Sequence, residues 1–221
     1  MMKKLFLAAI LLLAGLAASA QVHIGGGYLW QTFTYDKGSA NENFYWSMNG
    51  AYAGASFNIK INQYVGIAPG AYFLWATGPL REKKQPAPDT SFGLDMMELQ
   101  FPVNVTFGVE LGSAGKLFVY AGPAFNLALT AKLYGYSRKD FFQKRKDTLT
   151  ENLFGEIGDD SDDQLTLKRF DTKIGVGVGY RIKFFEINAG YDFGLLNVNK
   201  TSATDGKIHQ NTLHAGIAFC F

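Results

Sequence analysis

The sequence has almost no cysteine, since Cys220 is the single one among 221 residues. An intrachain disulfide is therefore excluded, and no cysteine follows the N-terminal segment to carry a lipid. Beyond residue 20 the chain also lacks any apolar run near the roughly 18 residues that a membrane-spanning helix needs. These absences exclude a disulfide-stapled domain, a lipoprotein and a helical membrane protein.

An excess of charge is missing as well. The chain carries 21 basic and 19 acidic residues, and Lys3 and Lys4 account for the whole formal net charge of +2. The remainder of the chain is neutral and has no electrostatic basis for binding nucleic acid. We therefore expect no nucleic-acid partner.

The first twenty residues carry an export pattern. Lys3 and Lys4 form a positive n-region, residues 5–16 form an apolar h-region, and Ala18-Ser19-Ala20 forms a small-residue cleavage site. An uncleaved anchor is the alternative interpretation. We predict a signal peptide at residues 1–20, followed by one domain at residues 21–221.

Alternation of apolar and polar residues with a period of two dominates the rest of the chain. The clearest example is residues 185–195, where the odd positions from Phe185 onward are mostly large and apolar and the even positions are polar or glycine. We predict eight strands, near residues 22–34, 48–60, 64–76, 94–110, 116–134, 169–181, 184–197 and 207–221.

The predicted strands reach the nine to eleven residues, roughly, that cross a bilayer at a tilt. Their connections alternate between long (35–47, 77–93, 135–168, 198–206) and short (61–63, 111–115, 182–183). Gram-negative outer-membrane barrels have such long extracellular loops and short periplasmic turns, with both termini in the periplasm. The prediction is an all-β fold: an eight-stranded antiparallel transmembrane up-and-down β-barrel, in contact with outer-membrane lipid.

The aromatic residues predict two interfacial belts. The three tryptophans, Trp30, Trp46 and Trp75, lie at the predicted extracellular ends of their strands. A second group collects at the opposite ends, namely Tyr64, Phe107, Phe118, Tyr180, Phe185, Phe219 and Phe221. Aromatic side chains that pack inside a water-soluble sandwich are the alternative.

The last strand and several internal segments carry a family resemblance. Gly216, Phe219 and the terminal Phe221 match the signal by which outer-membrane barrels are passed to the barrel-assembly machinery. The chain also resembles the PorT-like outer-membrane β-barrel domain family of Bacteroidota, in residues 65–70 with Tyr72, 99–103, 120–123 and 190–195. The resemblance implies fold and location. The namesake of the family serves protein secretion, and no functional residue is carried over.

Alternation places a nearly balanced set of charged residues inside the barrel. An eight-stranded barrel is only wide enough for its own side chains, so we expect no wide pore. Charges in such an interior should pair, because an unpaired buried charge is costly. We predict an interior charge network, with a proton or small-ion path as the alternative, formed by Glu98, Glu110, Lys132, Asp171, Lys173, Arg181, Glu186, Asp192 and His214.

No motif points to catalysis or to a bound ion. His209 starts the last strand near the extracellular side and is the residue to consider for a lipid-modifying enzyme, but it lacks a His-x-Ser pairing. The acidic run 159–163 lacks the spacing of a calcium loop. We therefore predict no enzyme, no catalytic residue, no cofactor and no metal site, and expect Cys220 to pack as a small inward residue.

The loop at residues 135–168 is the strongest candidate for contact with a partner. It runs from the basic block 138–146 to the acidic block 159–163, which could pair with each other or with lipopolysaccharide phosphates. We predict a non-enzymatic outer-membrane barrel that is structural or binds a protein or lipopolysaccharide partner at this loop. A soluble lipocalin-like periplasmic binder of a small apolar ligand and an outer-membrane lipid-modifying enzyme are the alternatives.

Overall fold

The computed structural model describes residues 21–36, 45–81, 90–137, 151–154, 167–200 and 207–221. The predicted signal peptide at residues 1–20 and the charged blocks 138–146 and 159–163 lie outside the described residues. Within the described part of the chain, no helix is long and apolar enough to cross a membrane.

The described chain folds into strands that pair only antiparallel. They are β1 (Gln21–Asp36), β2 (Tyr45–Lys60), β3 (Val65–Arg81), β4 (Thr90–Glu110), β5 (Lys116–Ser137), β6 (Glu151–Asn152), β7 (Phe170–Ile182), β8 (Phe185–Gly194) and β9 (Lys207–Cys220). Eight of them follow one another around a closed barrel, which the pairing of β1 with β9 completes. The two-residue β6 only extends the edge of β5. The predicted eight-stranded up-and-down barrel is confirmed, and the largest boundary difference is in β3, which continues beyond residue 76 to Arg81.

The outer face of the barrel is apolar around its whole circumference. Representative exposed residues from the eight strands are Ile24, Phe57, Phe73, Val105, Val119, Val176, Ile187 and Ile217. Lys132 on β5 lies opposite Asp95 on β4, beyond this apolar band toward the ends of the two strands. The apolar band itself suits lipid and not water. It is inconsistent with the soluble lipocalin-like alternative, which requires polar outward faces.

The two ends of the barrel differ in their connections. At one end, which we call the short-turn end, residues 61–64, 111–115 and 183–184 join consecutive strands. Asn62 closes the first of these turns by accepting the backbone N–H groups of Tyr64 and Val65, each at 2.8 Å. The opposite end, which we call the long-loop end, carries the long connections.

The strands have unequal lengths, and the excess lies at the long-loop end. Strand β5 has 22 residues and β8 has 10. At the short-turn end they are level, because Lys116 pairs with Arg181 and Arg181 pairs with Glu186. The pairing of β5 with β7 stops at Leu127, and β5 continues to Ser137 beside β4.

A β-bulge interrupts β5 where it outgrows β7. The residues opposite Met97 and Glu98 are Thr130 and Ala128, so Leu129 is an extra residue in β5. The inward positions of β5 therefore change from even to odd numbers: Ala128 and Ala131 are both buried. The bulge therefore determines which side chains of β5 beyond Leu129 point into the barrel.

Candidate functional site: the barrel interior

The interior at the short-turn end holds an ion pair with a histidine beside it. The Arg181 guanidinium donates to Glu186 Oε2 from Nε at 3.0 Å and from Nη2 at 2.8 Å. A third donor of Arg181 reaches Gln21 Oε1 at 2.7 Å. His23 Nδ1 lies 3.3 Å from the same Glu186 Oε2. Strands β1, β7 and β8 thus converge on one carboxylate, and charge-assisted bonds of this kind are the strong ones.

The middle of the interior is built from ring side chains around a second carboxylate. Tyr120 Oη lies 3.0 Å from His214 Nε2, and His214 Nδ1 lies 3.8 Å from Asp192 Oδ2. Gln100 Nε2 donates to the same oxygen of Asp192 at 2.9 Å. The Tyr52 ring meets the His214 ring edge to face, with 5.8 Å between centroids. The polar groups of this layer bond to one another across the barrel interior.

A third polar layer lies toward the long-loop end. Glu98 Oε2 accepts from Gln31 Nε2 at 2.5 Å and from Gln210 Nε2 at 3.0 Å. The fully buried Lys173 donates from Nζ to Thr212 Oγ1 at 2.9 Å. This layer therefore encloses the carboxylate of Glu98 and the ammonium group of Lys173, and both are held by hydrogen bonds to neutral side chains.

Apolar side chains close the interior above this layer. Phe33, Met48, Leu94 and Ile208 come from four different strands and are at most 2% exposed. Leu153 and Leu167, from the connection between β5 and β7, are also buried and belong to the same cluster. We call this cluster the apolar plug; its members are Leu29, Phe33, Met48, Leu74, Ala76, Leu94, Met96, Ala128, Ala131, Leu153, Leu167, Val198 and Ile208.

Arg169 fixes the connection to the bulge of β5. Its Nη1 donates to the carbonyl oxygens of Ala128 at 3.4 Å and Leu129 at 3.0 Å. Its guanidinium carbon lies 4.4 Å from the centre of the Phe154 ring, in a cation–π contact. Arg169 thus ties the start of β7 to the bulge of β5 and to Phe154 in the connection.

Below the plug lies a cavity of about 110 Å³. Its lining runs from His23, Asn58 and Arg181 at the short-turn end to Leu29 and Leu74, two members of the plug. Since a water molecule occupies roughly 10–15 Å³ on this measure, the cavity has room for several. It is a recess that ends at the plug and reaches toward the short-turn end.

The structure places seven of the nine predicted interior residues inside the barrel. Glu98, Asp171, Lys173, Arg181, Glu186 and Asp192 are buried, and His214 is half-buried. Asp171 belongs to the third layer, because it lines one small cavity together with Glu98, and the other six fall into the three layers as described above. The two Asp171 carboxylate oxygens and both polar side-chain atoms of Asn126 are buried without a hydrogen-bond partner.

The other two predicted interior residues, Glu110 and Lys132, are exposed, and their predicted placement is wrong. Glu110 has the correct parity but ends β4 at the rim, where it pairs with Lys116 at 3.6 Å. Lys132 follows the bulge at Leu129, which turns it outward, to the position opposite Asp95.

The predicted aromatic belts need two corrections. Trp46 is partly buried against the apolar plug, 6.0 Å from Phe33 between ring centroids, so it lies inside the mouth. Phe118 is 7% exposed and lies under Arg181 in the interior. Trp30 and Trp75 are 40% and 41% exposed on the outer face.

The residues of the predicted assembly signal occupy both faces of β9. Phe219 and Phe221 are exposed on the outer face at the short-turn end, and Phe221 N donates to Val22 O at 2.9 Å. Gly216 faces the interior, where a Cβ atom would lie 2.3 Å from Tyr52 Oη. Glycine is required there because the backbone carbonyl oxygen of Gly26 would lie 2.5 Å from the same Cβ atom.

His209, the residue considered for a lipid-modifying enzyme, is half-buried beside Thr34 of β1. Its Nδ1 atom is buried and has no hydrogen-bond partner. A histidine that acts as a base is normally oriented by a partner at this nitrogen. The structure supplies none at that atom.

Comparison with known proteins gives one family match. Residues 16–200 match the model of the family described as outer membrane protein beta-barrel domain. No curated protein matches the sequence.

Several solved structures are similar. Ail, the attachment invasion locus protein of Yersinia pestis, is 14% identical with a TM-score of 0.45, over 92% of this chain and 99% of that one. Neisserial surface protein A is 15% identical with a TM-score of 0.42, over 90% and 97%. Outer membrane protease OmpT from Escherichia coli is 10% identical with a TM-score of 0.43, over 93% and 97%. Similarities at this distance carry no inference about function.

Proposed function

Because the chain belongs to the outer membrane protein beta-barrel domain family, we propose that it is a non-enzymatic barrel whose long loops bind a partner outside the cell. Its interior, on this proposal, carries no solute across the outer membrane. The apolar plug is the observation that supports it: side chains from six strands and from the β5–β7 connection fill the mouth. A barrel closed in this way serves as a support for its loops.

The proposal includes an orientation. Long loops of outer-membrane barrels face the outside and short turns face the periplasm. The short-turn end, with the described residues Gln21 and Phe221, would then be periplasmic, and the cavity would face the periplasm. Export by the segment 1–20 and insertion through the C-terminal strand belong to the same proposal. The finer resemblance to the PorT-like group and a role in protein secretion stay predictions.

Closure of the interior is tested by permeability. The chain without residues 1–20, refolded into liposomes, should admit no small sugar, and planar bilayers that contain it should show no conductance steps. The matched variant carries Leu153→Ser and Leu167→Ser, which remove the contribution of the connection to the plug, and should leak more. Steady conductance by the unmodified chain would contradict a closed interior.

The binding partner is tested through the charge of the loop. The basic block 138–146 favours an anionic partner, and the phosphates of lipopolysaccharide are the nearest anions at that surface. Neutralising the lysines and arginines of this block to glutamine should weaken lipopolysaccharide binding by the folded protein. The matched control converts the aspartates of 159–163 to asparagine and should bind at least as well. Equal binding by both variants would exclude the basic block as the contact.

The absence of enzymatic activity is tested at His209. If the barrel modified lipid, His209→Ala would abolish a change in lipid composition that the unmodified chain produces in an outer membrane. We expect no such change with either protein.

A further inference from the structure

Three side chains with metal-binding atoms meet at the short-turn end of the barrel. His23, Glu186 and Cys220 each contribute one potential ligand atom, and these atoms lie within 4.8 Å of one another. They come from β1, β8 and β9. His23 and Cys220 are direct partners across the β1–β9 pairing, and Glu186 lies opposite Ala218, two residues before Cys220.

The separations fit a shared ion. Glu186 Oε2 lies 3.3 Å from His23 Nδ1 and 3.8 Å from Cys220 Sγ. Ligands at about 2.0 to 2.3 Å from one tetrahedral ion are separated by distances of this size. The backbone holds Cys220 in place, because its N–H donates to Phe184 O at 2.8 Å.

His23 is 6% exposed, and its Nδ1 atom faces Glu186. An ion shared with that carboxylate therefore binds Nδ1, the nitrogen from which the separation is measured. The other ring nitrogen, Nε2, is buried without a hydrogen-bond partner among the described protein atoms. His23 also lines the cavity, where water has room to bond to Nε2.

The Arg181 guanidinium already donates two hydrogen bonds to Glu186 Oε2, so a metal ion at this site must bind next to a positive charge. The other oxygen, Oε1, accepts only a long bond of 3.4 Å from Asn188. An ion at the separations given above binds Oε2, so Arg181 must turn toward Oε1 when the ion binds. The cavity reaches the cluster, because its lining includes His23, Arg181 and Glu186, and water there would complete the coordination.

We propose that His23, Glu186 and Cys220 bind a divalent metal ion of the zinc class and thereby tie the first barrel strand to the last. One thiolate, one imidazole and one carboxylate form a donor set that zinc accepts. The ion would release the thiol proton to solvent when it binds. The proposal goes beyond loop binding, does not depend on it, and departs from the sequence-based expectation of no metal site.

The test uses the whole chain without residues 1–20, folded in detergent. Cobalt and cadmium are titrated separately, and the ultraviolet thiolate-to-metal charge-transfer band reports ligation by Cys220. We expect saturation at one ion per chain. The band should be lost in Cys220→Ser, and the dissociation constant should rise about tenfold or more in His23→Gln. His209→Gln, which alters a histidine on the outer face of β9, is the matched control and should bind like the unmodified chain.

Heat-modified gel mobility verifies that each variant is folded. A measurement on the unmodified chain removes any dependence on variant folding: zinc should slow the reaction of Cys220 with a maleimide and raise the urea midpoint of unfolding. Absence of a thiolate band in the unmodified chain would overturn the proposal. So would an affinity that His23→Gln leaves unchanged.

Discussion

Replacing Phe33 by alanine tests whether the long-loop end is packed like a protein core. Phe33 is 2% exposed, and its ring contacts Trp46 within the apolar plug. The substitution removes the apolar area that the ring buries and leaves a cavity, because neighbours held on the paired strands of a closed barrel cannot collapse into it. Buried Phe→Ala changes cost about 3–5 kcal/mol. We expect a loss of about 4 kcal/mol in the free energy of unfolding.

Phe73→Ala is the matched control. Phe73 lies on the outer face of β3 and is 42% exposed in the absence of lipid. Lipid fills the space that its ring leaves, so this variant should lose only the transfer contribution, roughly 2 kcal/mol. The difference between the two variants, about 2 kcal/mol, corresponds to roughly a 30-fold difference in the unfolding equilibrium.

The assay is urea unfolding in phospholipid vesicles, followed by tryptophan fluorescence and by the fraction of heat-modifiable protein on gels. Both signals must be reversible for the free energies to be compared. If Phe33→Ala lost no more stability than Phe73→Ala, the mouth would be loosely packed or open to water. The closed interior on which the proposed function rests would then be refuted.

Three further substitutions test the interior in the same assay. Arg169→Met removes a side-chain donor to two carbonyls at the bulge and the contact with Phe154, and should cost about 1–2 kcal/mol; the control Lys168→Met, which removes one exposed bond to the Asn197 carbonyl, should cost under about 1 kcal/mol, and equal losses would contradict the role of Arg169. Lys173→Met removes a fully buried cation from a layer with two carboxylates and should cost about 3–5 kcal/mol, and a neutral or stabilising result would show that the ammonium is not needed there. Gly216→Leu places a Cβ atom against the Gly26 carbonyl oxygen and the Tyr52 hydroxyl and should prevent recovery of the heat-modifiable form, while normal refolding would show that the β1 backbone and Tyr52 both give way.

The barrel could be predicted from the sequence because each strand has lipid on one face and a polar interior on the other. A strand between lipid and a polar interior must alternate, so the period of two in residues 185–195 reports both the strand and its orientation. Strand ends were less certain, since β3 and β5 continue past the apolar band, where alternation no longer has to separate lipid from the interior.

The interior was less predictable for one local reason and one nonlocal reason. The bulge at Leu129 leaves the sequence pattern almost unchanged, and yet it reverses every side chain after it, which is why Lys132 was placed on the wrong face. The apolar plug depends on Leu153 and Leu167, two of several apolar residues in a long connection that is rich in charge. The sequence does not reveal which apolar residues of such a loop pack against the barrel.

The residues of the proposed metal site show the same limit. His23 and Cys220 are almost the whole chain apart in sequence, and only closure of the barrel makes them partners. Alternation predicts that each points inward. It does not predict that they meet at one level beside Glu186, because that depends on the register of three strands.

Because the strands have unequal lengths, the long-loop end of the barrel is higher on one side than on the other. Residues 128–137 of β5 continue beyond the start of β7, which adds about 30 Å along the strand and about 20–25 Å of height at the usual barrel tilt. Strands β3 and β4 stand beside it, whereas β8 ends at Gly194. The described strands therefore extend far beyond the plug on the side of β3 to β5 and end close to it on the side of β7 and β8. A large partner of the proposed kind would have to approach the plug from the side of the short strands.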